Sequence, residues 1–147
     1  MPAELSLLDT NVLVYSVFGD SEKHIPARRL LEQAGDAAGG LCVCSQVLAE
    51  FFAVVTDPRR VSAPRQPEEA LAVIEAILSL PGITLLPTPA ETVHGWVALV
   101  RRQPVTGGRV FDAQLAATML ANGVIRIHTF NRADFARFSE LEVITPE

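Results

Sequence analysis

Four acids in this chain stand where a carboxylate needs a reason. Asp9 interrupts LSLLDTNVLVY (residues 5–15), with apolar runs on both sides. Glu50 sits among Val47, Leu48, Ala49, Phe51, Phe52 and Ala53, Asp112 falls between Val110-Phe111 and Ala113, and Asp134 follows the run VIRIHTF. A buried carboxylate without a partner is costly, so a turn, a hydrogen-bond network or a cation should compensate each of them. Carboxylates gathered at one place raise each other's pKa unless a cation neutralises them. An oxygen-rich cluster of that kind suits Mg²⁺ or Mn²⁺, and such an ion can activate water and polarise a phosphoryl oxygen. Thr10, Asn11, Ser45 and Thr129 lie beside the acids in sequence and could orient carboxylates or waters. Plainer uses compete: an acid after a strand commonly caps a helix or closes a turn, and the small polar residues serve equally well as local caps.

Whether the acids meet depends on the elements that carry them. Strand-like runs occur at 5–8, 39–45, 82–89, 124–130 and 141–145. Helical spacing or composition marks 22–34, 46–56, 68–79, 90–103, 110–122 and a short segment at 132–138. Ser45 is a candidate N-cap for the helix that carries Glu50, and Gly123 a candidate C-cap for the apolar helix at 110–122. Strands alternating with helices imply parallel pairing through right-handed crossovers. The expected fold is a single α/β domain over residues 1–147, three-layered α/β/α with a mainly parallel sheet. Ligands bind such sheets outside the carboxyl ends of the strands, and all four acids map to that rim.

Bulk properties narrow the function. The net charge of −5, from 12 basic and 17 acidic residues, is the wrong sign for a generic nucleic-acid coat. It leaves room for an enzyme with local arginines and a bound cation. Arg59, Arg60 and Arg65 in the proline-rich loop at 57–67, Arg101-Arg102, and Arg109 are the candidate phosphate partners, with Arg109 preferred for its closeness to Asp112. Cys42 and Cys44 match no zinc framework and read as reduced packing residues. No leader or membrane-length apolar run is present, so cytoplasmic residence without membrane association is the expectation.

The segments LLDTNVLVY (7–15), SQVLAEFF (45–52), VFDAQLAATMLANG (110–123) and IHTFNRADFARF (127–138) together resemble the PIN-domain nucleases, specifically the VapC toxins of bacterial toxin–antitoxin pairs. The resemblance implies an endoribonuclease dependent on Mg²⁺ or Mn²⁺. Asp9, Glu50 and Asp112 match its first three acids, and Asp9 and Asp112 are expected to hold the principal ion. The fourth position departs from the pattern: where the family often has Asp, this chain has Asn131, and Asp134 is the nearest carboxylate. The resemblance also implies a homodimer inhibited by a VapB-like antitoxin, with the helices at 46–55 and 68–79 available as interface or as core. A receiver domain would need a late lysine, but Lys23 is the chain's only one. A haloacid-dehalogenase phosphatase would need Asp at position 11, which is Asn. The competing function is a degenerate PIN domain acting as a non-catalytic RNA- or protein-binding module.

Overall fold

A computed structural model describes residues 4–147; the first three residues of the expected domain lie outside the described part. The apolar run before Asp9 forms β1 (Ser6–Leu8), and its place explains its composition, because Leu7 and Leu8 are wholly buried. β2 (Leu41–Cys44) and β4 (Arg126–His128) pair with β1 on either side, so that Leu7 stands opposite Cys42 and Ile127. β3 (Ile83–Leu86) and β5 (Glu142–Ile144) complete a sheet in the order β3-β2-β1-β4-β5, with every pairing parallel. A strand buried on both faces tolerates the unbroken apolar runs seen in β1 and β2.

The helices are α1 (Thr10–Val17), α2 (His24–Gln33), α3 (Ser45–Val55), α4 (Pro67–Leu78), α5 (Thr92–Arg102), α6 (Val110–Ala121) and α7 (Arg132–Ala136). From β1 the chain steps outward through β2 to β3, then returns across the sheet to β4 and β5. Reversing direction with the same right-handed crossover moves the intervening helices to the opposite face. Packing follows this rule: α1 contacts α2 and α3, α3 contacts α4, and α6 contacts α5 and α7. The three-layer expectation therefore holds, and the point of reversal lies between β1 and β4.

Two glycines permit this arrangement. Gly95 of α5 lies against α6 so closely that a Cβ there would come within 3.3 Å of the Ala117 Cβ. Gly123 adopts φ +71° one residue beyond Asn122, which is the C-cap of α6, so it terminates the helix from the position after the cap. Cys42 and Cys44 are buried free thiols, and burial pushes the Cys42 thiol up to about 12, so it is protonated and inert at neutral pH. Among the described residues no helix is long and apolar enough to cross a membrane.

Candidate active site

The amide of Asp9 donates to the His128 carbonyl at 3.0 Å, which extends the β1–β4 pairing to the acid itself. Asp9 is also the N-cap of α1: its Oδ1 accepts from the Thr10 amide at 2.8 Å. Its Oδ2 accepts from the Thr129 hydroxyl at 2.7 Å and from Asn11 Nδ2 at 3.3 Å. Asn11 bridges the two strand ends further, because its Oδ1 accepts from the Phe130 amide at 3.1 Å. Asp9 is thus buried against neutral donors, with no ion pair among the described residues. Burial dominates and raises its pKa; the bonds from Thr129 and Thr10 lower it, and the charges of Glu50 and Asp134 raise it again.

Glu50 comes from the other side, on α3. Its Oε1 accepts from Gln46 Nε2 at 3.1 Å, and the same nitrogen donates to the Phe111 carbonyl of α6 at 2.9 Å. Gln46 therefore ties the carboxylate on one helical layer to the start of the helix that carries Asp112 on the other. Thr10 Oγ1 has a single hydrogen to share between the Val47 carbonyl at 3.0 Å and Glu50 Oε2 at 3.3 Å. Asp112 occupies the first turn of α6, and Asp134 the first turn of α7, where the positive ends of helix dipoles favour them. The Asp112 carboxyl is raised from 3.8 to about 6, by burial first and by Asp134 second, with Arg137 opposing and Asp9 and Glu50 adding to the rise.

All four acids line one cleft of about 680 Å³, together with Thr10, Asn11 and Asn131. Thr129 lies beneath Asp9, wholly buried, and its oxygen also accepts from the Asn131 amide at 3.0 Å. Several residues read from the sequence do not line this cleft: Ser45, Arg59, Arg101, Arg102 and Arg109. Ser45 begins α3 rather than capping it, makes no cap bond, and lines an apolar groove with Leu48, Phe52 and Leu85. Five residues separate it from Glu50, about 140° around the helix, so the two face different ways. Arg109 is exposed in the 3₁₀ turn Gly107–Arg109 and does not line the cleft, whereas Arg60 and Arg65 do. Gln46 and Arg137 were missed by the sequence reading. For Gln46 the signal was its spacing of four residues before Glu50 on a helix.

A PIN domain family model matches residues 6–141. The chain belongs to the PIN-domain family. This PIN domain is 35% identical over 139 residues to Ribonuclease VapC43 of Mycobacterium tuberculosis, covering 91% of this chain and 90% of the relative. It is 30% identical to Ribonuclease VapC24 of the same species, covering 95% and 94%. Its fold superposes on VapBC2 from Rickettsia felis, solved bound to a DNA fragment from their promoter, with a TM-score of 0.67 at 20% identity over 97% of this chain and 99% of that one. It also superposes on Mycobacterium tuberculosis VapC20, a sarcin-ricin-loop-cleaving toxin, with a TM-score of 0.65 at 20% identity over 90% and 94%.

The buried Thr129 gives this PIN domain a direct test of how Asp9 is held. Thr129→Val keeps the shape and removes the shortest bond to the carboxylate. We expect a loss of about 10- to 100-fold in activity, the scale on which removing a partner that orients a side chain of a site acts. A destabilisation of about 1–3 kcal/mol should accompany it, because Asp9 and the Asn131 amide both lose a buried partner. Cleavage rates and urea unfolding midpoints measure the two effects.

Proposed function

We propose that this chain is a VapC-type toxin, an endoribonuclease that hydrolyses RNA phosphodiester bonds at the acidic cleft with Mg²⁺ or Mn²⁺ as its cofactor. One observation carries the reading: four carboxylates from both helical layers line one cleft, and none is ion-paired among the described residues. A binding module would have no use for that uncompensated charge, which favours catalysis over a degenerate domain.

The donor set fits a hard divalent ion. Its donors are all oxygens, and the Asp112 carboxyl, raised first by burial and then by the neighbouring Asp134 charge, is one whose ionised form a cation would stabilise. Among the described residues no three His, Cys, Asp or Glu side chains draw close enough to cage an ion by themselves. Mg²⁺ keeps several waters and is bound through one or two carboxylates. Asp9 and Asp112 would hold it, with Glu50 and Asp134 reaching it through water. When bound, the ion supplies a more acidic water and positive charge for the phosphoryl oxygens.

The rest of the work falls to side chains. Thr129, Asn11 and the Thr10 amide fix the Asp9 carboxylate, and Gln46 fixes Glu50. Glu50 and Asp134 line the cleft beside the proposed ligands and are the carboxylates placed to accept the proton that the attacking water loses. No serine or cysteine nucleophile is needed.

Kinship with the VapC ribonucleases supplies the partners: a VapB-like antitoxin that would block the cleft, and a second copy of the chain. α3 and α4 each bury one face in the core and leave an open groove lined by Leu48, Phe52, Leu71, Ile74 and Leu85, the apolar surface available to that copy. The cytoplasm, where RNA lies, is the proposed compartment. The test is cleavage of total RNA by the purified protein. We expect cuts with Mg²⁺ or Mn²⁺ that EDTA stops and added ion restores; cutting that is indifferent to EDTA would contradict the reading.

A further inference from the structure

The helices that carry Glu50 and Asp112 are not close-packed neighbours. α3 packs against α1 and α4, and α6 against α5 and α7. Between α3 and α6 lies an open groove of about 570 Å³, to which α3 offers Ala49 and Ala53 and the turn before α6 offers Gly108. Side chains that short do not span the gap. Gln46 does: its Nε2 donates to Glu50 Oε1 at 3.1 Å and to the Phe111 carbonyl at 2.9 Å. Among the described residues, the bond to Phe111 is the one hydrogen bond from α3 to α6. Exchanging the amide nitrogen and oxygen would set an oxygen against a carboxylate and a carbonyl, so these two acceptors fix how the amide lies. The amide oxygen is then left buried with no hydrogen-bond partner. A buried polar atom without a partner works against the fold. Stability alone therefore gives no reason for glutamine at this position, whereas the placement of Glu50 does.

We propose that Gln46 is a positioning residue that sets the place of the Glu50 carboxylate relative to Asp112 by strapping α3 to the first turn of α6. Its consequence for catalysis rests on the ribonuclease reading above. Glu50 and Asp112 line both the acidic cleft and the groove, so any parting of α3 from α6 separates the two acids. Glu50 stands one helical turn from Gln46 on the same face and moves with it. Without the strap Asp112 stays in place, because α6 remains packed on α5 and α7, and Asp9 stays under Thr129. Glu50 is the acid that drifts.

The test uses the full chain with Mn²⁺ and a short single-stranded RNA containing a cut site first mapped in total RNA. Gln46→Met keeps the reach of the side chain and removes both donors together with the unpartnered oxygen. Its kcat should fall about 10- to 100-fold with KM within about twofold of wild type, as when an interaction that matters in the transition state is lost. Its melting temperature should equal or exceed the wild type's, because the Phe111 carbonyl keeps a donor within α6 and Glu50 faces the open cleft. Its rise in melting temperature on adding Mn²⁺ should match the wild type's. Gln46→Glu sets an oxygen in place of the nitrogen; it should lose at least as much activity and melt lower at pH 7.5, through repulsion from Glu50. Wild-type kcat in Gln46→Met would overturn the strap while leaving the ribonuclease reading intact. So would a lowered melting temperature in Gln46→Met, the mark of a residue that only holds the fold, or a lost Mn²⁺ shift, which would place its effect on the ion instead of on Glu50. If the wild type cuts no RNA at all, both readings fall.

Discussion

Asp112→Asn should abolish RNA cleavage and yet yield a protein that melts higher than the wild type at pH 7.5. The carboxyl of Asp112 is raised from 3.8 to about 6, chiefly by burial and then by Asp134. A group whose folded pKa lies above its unfolded one favours folding while it is protonated in both states. That contribution is lost as pH rises from about 4 through 6, so above pH 6 the ionised carboxylate works against the fold. Asparagine keeps the shape and removes the charge. Because Asp112 is only partly buried, solvent screens much of the effect and leaves on the order of 1 kcal/mol, or about 2–4 °C in Tm for a domain of this size. Activity should fall by more than the ~10- to 100-fold typical of residues that merely support a ligand. At pH 5, where the wild-type carboxyl is itself protonated, the difference in melting temperature should shrink. A variant that melts lower than wild type at both pH values would show that Asp112 is a structural residue.

Divalent ions should stabilise the wild type far more than either first-choice ligand variant. An ion present at a hundred times its dissociation constant adds about 2.7 kcal/mol to the folded state, which corresponds to roughly 5–10 °C in Tm. Adding Mg²⁺ or Mn²⁺ to EDTA-stripped wild type should therefore shift its melting curve upward by that amount. Asp9→Asn and Asp112→Asn should shift little. Protons compete with the ion for the same raised carboxyls, so the shift in the wild type should diminish as pH falls below 6. Equal shifts in wild type and both variants would place the ion somewhere other than this cleft.

Much of this site was legible because it follows from topology. Asp9 ends a run of buried residues, and a parallel sheet places strand ends at one rim; Asp112 and Asp134 stand in first turns of helices at that same rim. The helix α1 was not legible. Its sequence, TNVLVYSV, is rich in the β-branched and aromatic residues of strands, and the feature that marks its start is the Asp9 N-cap seen in the structure. Among the candidate arginines the preference for Arg109 was misplaced, because closeness in sequence is not closeness in space. Arg109 is three residues from Asp112 but sits in an exposed turn, while Arg60 and Arg65 reach the cleft through a loop whose path depends on long-range packing. Ser45 failed for a simpler reason, since it begins the helix on a face turned away from Glu50. The two apolar helices proved to be core and open groove at once, a division that helical hydrophobicity alone does not reveal.

Anomalous scattering from Mn²⁺ in crystals of the wild-type protein tests the central claim most directly. A peak within coordinating distance of both the Asp9 and Asp112 carboxylates, absent from Asp112→Asn crystals grown alike, is the predicted result. A protein that cleaves RNA in Mn²⁺ but shows its manganese peak away from those two side chains would contradict it.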